Sequence, residues 1–560
     1  MSIPRQRISL IGFASCLLLV ADTVAADEQA DAAARQNSSA IQVTQYAPAY
    51  PILVRNEHGP LIRLSVSVPP SAEENAKRDS GKALRLTGVT VDLSATDQVT
   101  DLQALELFST QDNEEFSAAS KIGEAVPQTA IVTIPCELEL KPGRNIIWLS
   151  GKLVANASID HHVSAICNEV QTSSEKITVE AATGRPVHRI GVAMRRHQDD
   201  GVHTYRIPAL TTTSKGTLLS VYDMRRRMGR DLQEDIDIGL SRSTDQGQTW
   251  EPVRVIMDMG EYGGFPQELN GCSDPGIISD RQTGEIFCFA LWLTGKGGKH
   301  QWVDDGSEPG FEIGKTAQLM MVRSVDDGVT WSKPENLTTI LKKESWWLFA
   351  PSPQSGIQLH DGTLVMPVQG RTGREGTATF ATIMISRDHG KTWKVGQPAY
   401  AGGNECQAAV LSDGSIMLNI RNDHERFRAV AVTNDLGETW TDHSTSRNTL
   451  IEPNCNGSLL RFDQKLKPGS AEASGLTRPL LLFANPHTQK GRTHHTIQVS
   501  TDDGRTWPDA HHLLLDEGRG AGYPSMTQID DQQVGIVYEG SQAHLVFQRF
   551  RIDDLAPVPR

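Results

Sequence analysis

The stretch Ser243-Thr-Asp245-Gln-Gly247-Gln-Thr249-Trp250 returns four more times along the chain. The later copies are Ser324-Val-Asp326-Asp-Gly328-Val-Thr330-Trp331, Ser386-Arg-Asp388-His-Gly390-Lys-Thr392-Trp393, Thr433-Asn-Asp435-Leu-Gly437-Glu-Thr439-Trp440 and Ser500-Thr-Asp502-Asp-Gly504-Arg-Thr506-Trp507. Each copy reads as a tight turn between two strands. The Ser or Thr and Asp side chains can bond backbone groups inside the turn, and Gly supplies a positive φ where a Cβ would clash. Thr and Trp then start the outgoing strand, with the indole packing under the turn. The tryptophans are 81, 62, 47 and 67 residues apart, room for four short strands and an insertion per copy. Strand-like text precedes the turns, as in Ile236-Asp-Ile-Gly-Leu240 and Thr496-Ile-Gln-Val499. Repeated four-stranded units predict a β-propeller, whose radial repetition leaves only short edges.

Outside the repeats the pattern changes. Residues 40–182 alternate apolar and polar, as in Leu61-Ile-Arg-Leu-Ser-Val-Ser-Val68 and Leu86-Thr-Gly-Val-Thr-Val-Asp-Leu93. Such short strands between turn residues predict a β-sandwich domain, whose role is structural or glycan-binding; no aromatic platform for a sugar stands out, which favours the structural role. The predicted chain is therefore all-β, a six-bladed propeller over 183–560 preceded by this domain, joined near Thr183-Gly-Arg-Pro186. Residues 1–26 read as a signal peptide. Arg5 and Arg7 precede an apolar run from Ile8 to Val20, followed by the small residues Ala25 and Ala26. Residues 27–39 are expected to be a flexible segment, and the mature protein to be periplasmic or extracellular.

Composition narrows the partners. The 560 residues carry a formal net charge of -14, which disfavours nucleic acid and anionic membrane surfaces. With 38% hydrophobic residues the chain has material for a core, yet no later run is long enough to span a bilayer. Six cysteines follow the leader, and they read as buried thiols with at most a bridge. The pairs His494-His495 and His511-His512 do not suggest a metal, because neighbours on a strand face opposite sides.

Tyr205-Arg206-Ile207-Pro208 opens the repeat region 38 residues before the first copy. Together with the five turns it resembles the Phe/Tyr-Arg-Ile-Pro motif and Asp boxes of the sialidase (neuraminidase) superfamily. The resemblance covers essentially all of 186–560, and the preceding domain is similar to the β-sandwich found in some exported bacterial members. It implies a retaining exo-α-sialidase acting on sialylated glycans, glycoproteins or glycolipids, without cofactor or metal. Trans-sialidase or anhydro-forming chemistry would use the same core residues. A non-catalytic binding propeller would be expected to have lost some of them.

The resemblance also implies the site. Three arginines, Arg206, Arg421 in Leu418-Asn-Ile-Arg-Asn422 and Arg492 in Lys490-Gly-Arg-Thr-His494, would clamp the sugar carboxylate. Arginine suits this task because its planar fork binds carboxylate bidentately and stays charged. Tyr523 in Gly522-Tyr-Pro-Ser-Met526 would be the nucleophile and Glu405 its base. A neutral phenol avoids the repulsion a carboxylate nucleophile would meet beside the substrate's own anion, but it needs a base to take its proton. Asp231 would be the acid–base, with Asp235 and Asp237 as competitors in the same acidic loop. Arg225 and Asp274 would touch substrate, and Glu539 would orient Arg206. The N-acetyl pocket is expected to be apolar and aromatic, but Trp292, Trp302, Trp346 and Phe349 are indistinguishable from core residues in sequence.

Overall fold

A computed structural model describes residues 40–555, apart from 73, 75–82, 181–185, 233, 296–305, 375–377 and 464–478. The leader, the 27–39 segment, Trp302 and most of the expected joint lie outside the described residues. Regular structure is almost entirely β-strand. Two bodies are distinct, an N-terminal sheet domain and a propeller-like ring.

In the first body nine strands form one hydrogen-bonded path from Gln42–Tyr46 to Lys176–Thr178. Its middle is narrow, because Lys121–Ala125 meets Ile131–Glu139 through the single pair Gly123 and Cys136. Either side of this joint the strands alternate as the sequence predicts. Leu64, Val66, Leu105, Leu107 and Leu149 share a core with Leu86, Val89, Val91 and Ile134.

The second body repeats one unit, four antiparallel strands in sequence order. Gly403–Val410, Ile416–Asn422, Ala429–Thr433 and Thr441–Asp442 make one such sheet, and Ser458–Phe462, Leu480–Pro486, His495–Ser500 and Leu513–Asp516 make the next. The first strands of neighbouring units touch around the ring. The ring closes by mixing chain ends. The C-terminal strands Pro524–Gln528, Gln533–Tyr538 and Leu545–Arg551 take His188–Arg195 from the start of the propeller as their fourth strand.

The five recurrent turns sit after the third strand of a unit, and their hydrogen bonds explain the sequence. Asp245 accepts the Ser243 hydroxyl (2.8 Å), the Thr249 amide (3.0 Å) and the Thr249 hydroxyl (2.6 Å), while Ser243 Oγ accepts the Gly247 amide (2.8 Å). Asp326, Asp388, Asp435 and Asp502 repeat the pattern. The turn is tighter than glycine alone implies. The residue before each Gly also has a positive φ, so Gln246, Asp327, His389, Leu436 and Asp503 are all left-handed. The side-chain bonds offset that strain, which costs roughly 1–2 kcal/mol at a non-Gly residue. Glycine is needed for space as well, since a Cβ on Gly390 would lie 2.2 Å from Phe287 Cζ. The indoles differ among copies. Trp331, Trp393 and Trp507 donate to the carbonyl of their own box Gly, Trp440 donates to Gln397, and Trp250 packs edge-on against Phe547.

The two bodies are continuous. Ile52–Val54 pairs parallel with Ile190–Val192, extending the closing sheet, and one hydrophobic cluster runs from Leu61 and Leu105 to Tyr205, Tyr222 and Phe547. Arg549 holds Asp160 through Nε (2.8 Å) and Nη2 (2.6 Å) across the same seam. All six described cysteines are free, and five of them are buried.

Candidate active site

The strands that start the units break register where the expected site residues sit. Thr204–Thr212 shifts between Arg206 and Ala209, Asn270–Ser279 between Ser273 and Gly276, and Gly403–Val410 between Gly403 and Cys406. Such bulges re-aim side chains. Ile207 (φ 57°) and Asp274 (φ 58°) are left-handed within them, a strained geometry most of all for β-branched Ile207. Glu539 Oε1 accepts the Ile207 amide at 2.8 Å and so helps to hold the kink.

These bulges surround a cavity of about 380 Å³. Arg206, Asp231, Asp274, Glu405, Arg421, Arg492 and Tyr523 all line it. The Tyr523 hydroxyl donates to Glu405 Oε1 at 2.5 Å, and Arg421 Nη1 donates to both Glu405 Oε2 (2.7 Å) and the Tyr523 oxygen (2.9 Å). Burial first, and then the Glu405 carboxylate, push the phenol well above its ordinary value, while Arg421 and Arg492 pull it back. The tyrosine is thus neutral, with its proton directed at a base.

Glu539 organises the next layer. Its carboxylate takes two bonds from Arg206 (2.7 and 3.1 Å) and the backbone amides of Ile207 and Tyr523. Burial alone would raise its pKa, but these partners hold it below the usual carboxylate value. Arg206 and Arg492 carry their guanidinium carbons 5.3 and 5.5 Å from the Tyr523 ring centre. Three cations therefore converge on the tyrosine.

Asp231 lines the same cavity, its side chain 41% exposed. Arg225 Nη1 lies 2.6 Å from it and Arg206 Nη1 3.8 Å. Arg225 is fully buried and braces Asp231 from behind the lining residues of the cavity. It also donates to the Gly229 carbonyl (2.8 Å) and to Asp223, which in turn accepts the Ser273 hydroxyl and the Asp274 amide. Asp237 is buried against Arg226 and raised to about 6 by that burial; neither it nor Asp235 reaches the cavity. Burial, then Asp223 and Glu405, push the Asp274 carboxyl well above the ordinary range.

With this geometry in hand, the chain can be compared with known proteins. Residues 39–176 match the N-terminal domain of BNR-repeat neuraminidase, and residues 192–536 match the BNR repeat-like domain. A sialidase of Bacteroides fragilis (strain YCH46) is 41% identical over 425 residues, 76% of each chain. The chain belongs to the sialidase family. A Micromonospora viridifaciens sialidase is 33% identical over 64% of this chain and 54% of its own length. The solved structure of a Hadza microbial sialidase, 36% identical, superposes with a TM-score of 0.81 over 92% of this chain and all of that one.

The sialidase cavity has a wall that the sequence did not indicate. Gln369, Thr379, Asn404 and Asp423, with Ile207 of the first motif, complete its lining, and Asp423 takes bonds from Thr379 (3.0 Å) and Asn404 (3.1 Å). Asn404 and Asp423 lie one and two residues from Glu405 and Arg421, the only hint available in sequence. Asn454 is a further omission, since it accepts from Arg421 Nε (2.6 Å) and, through its carbonyl, from Arg492 (3.2 Å). Among the described residues, Tyr523 is the one aromatic side chain that lines the cavity. Trp292, Trp346 and Phe349 are buried in the cores of the units and line no part of the cavity.

Proposed function

We propose that this chain is a retaining exo-α-sialidase that releases terminal sialic acid from glycans, glycoproteins or glycolipids through a covalent tyrosyl intermediate. One observation carries it, the Tyr523 hydroxyl donating to Glu405 beneath three converging arginines. The arginines take the substrate carboxylate and place the anomeric carbon over the phenol oxygen. Tyr523 attacks that carbon as its proton passes to Glu405, while Asp231 protonates the departing glycosidic oxygen. In the second half Asp231 removes a proton from water, water displaces the tyrosine, and Glu405 returns its proton. Two inversions give net retention.

The domain reading goes with it. The nine-stranded sheet that begins at Thr204 is taken as two blades joined only by the Ile236 and Gly271 pair, making six blades in all, and the N-terminal body as a β-sandwich. The leader at 1–26 supports export to the periplasm or beyond.

Incubation with a 3-fluoro sialosyl fluoride tests the chemistry, because the added fluorine slows breakdown of the covalent species. The label is expected on Tyr523, lost in Tyr523→Phe and slow to form in Glu405→Ala. NMR of the first-formed product should show the α-anomer of free sialic acid. Label on a carboxylate, an initial β-anomer, or a transferred or anhydro product would each overturn the corresponding part.

A further inference from the structure

Arg492 is held unlike the other two arginines. Glu539 fixes Arg206 and Glu405 fixes Arg421. Arg492 instead donates from Nη1 to the Ala521 carbonyl (2.7 Å) and from Nη2 to the Asn454 carbonyl (3.2 Å), and no carboxylate among the described residues forms an ion pair with it. A guanidinium held by carbonyls sits where the loop backbone puts it.

That loop, 516–522, runs straight into Tyr523 and binds Arg492 a second time, through the Gly520 amide to the Arg492 carbonyl (3.1 Å). One end is tied to the propeller, where Asp516 accepts the Ser541 amide (2.8 Å) and hydroxyl (2.7 Å) and the Gly518 amide (2.9 Å). Its middle is tied to the N-terminal domain. The Glu517 amide donates to the Ala49 carbonyl (3.0 Å), the Tyr46 hydroxyl donates to Glu517 Oε1 (2.5 Å), and a Cβ on Gly518 would lie 3.0 Å from Tyr50 Cε1. Tyr46 is the last residue of the strand Gln42–Tyr46, paired with Arg63, so the N-terminal sheet sets its place.

We propose that Tyr46 and the backbone up to Tyr50 are positioning elements for Arg492, so that the N-terminal domain tunes affinity for the substrate carboxylate. The proposal rests on the reading of Arg492 as a carboxylate ligand. Tyr46 is 45% exposed, and its hydroxyl can be removed without opening a core.

The test uses the full chain and Michaelis kinetics on an aryl sialoside, with melting temperatures measured in parallel. Tyr46→Phe and Glu517→Ala are expected to raise KM about three- to tenfold, the scale of one ordinary hydrogen bond, with kcat nearly unchanged. Glu517→Gln keeps an acceptor for the phenol and should stay near the native KM. In an Arg492→Ala background, Tyr46→Phe should add nothing, because coupling through Arg492 makes the effects non-additive. A lower melting temperature with native KM, or an equal KM rise in both backgrounds, overturns the proposal and leaves the clamp intact. Native KM in Arg492→Ala overturns the clamp reading and the proposal with it.

Discussion

Asp231 and Glu539 show how one carboxylate differs from another by its surroundings. Asp231 is partly in solvent, and as the proposed general acid it would matter most for poor leaving groups. Asp231→Ala should therefore cripple cleavage of natural sialosides while an aryl sialoside with a good leaving group is glycosylated nearly as before. Equal losses on both would assign Asp231 a positional role. Glu539 is buried with Arg206 and two backbone amides upon it. Glu539→Ala strands a buried cation, which costs about 3–5 kcal/mol. Both the denaturation midpoint and kcat/KM should fall, whereas Arg206→Ala should lose activity with a smaller fall in midpoint, because the Ile207 and Tyr523 amides still hold the Glu539 carboxylate. Family resemblance made most of these residues legible. Glu405 and Tyr523 are 118 positions apart, and no local spacing links them. That Arg225 lies buried against Asp231 was not legible, because burial leaves no mark in a linear motif.

At the scale of the element, the five Asp turns act on stability and stand away from the cavity. Hydrogen bonds from Thr330, Thr392 and Thr439 hold Asp326, Asp388 and Asp435 at about 2, below the ordinary 3.8. A depressed carboxylate contributes stability that is complete above its unfolded pKa and is lost as pH falls through the folded one. The melting temperature should hold above pH ~4 and drop between pH ~4 and ~2. Asp326→Asn should lower the plateau and flatten that drop while turnover per folded molecule stays native. A stable but inactive variant would contradict the structural role. These turns were readable in sequence because every bond spans four residues or fewer. The paired left-handed residues were not, since only one of each pair is glycine.

The whole molecule behaves as one body across its domain seam. The pairing of Ile52–Val54 with Ile190–Val192 and the shared core make the propeller incomplete without what precedes it. A chain starting at 183 should express as aggregate, or as soluble material with little activity, by size exclusion and assay. A monomeric, fully active 183–560 would show the seam to be dispensable. Alternation revealed the N-terminal strands, but nothing in sequence revealed where they dock. Those contacts join residues more than a hundred positions apart and carry no motif.

Ring closure by His188–Arg195 against Leu545–Arg551 has a consequence for biosynthesis. Arg206 emerges from the ribosome about three hundred residues before Tyr523 and Glu539. The strand that seals them together, Leu545–Arg551, is made after all three. No nascent chain that stops short of this strand can hold an assembled site, so activity waits until translation has passed it, and a frameshift just before it that spares Arg206, Tyr523 and Glu539 is still expected to yield a silent product.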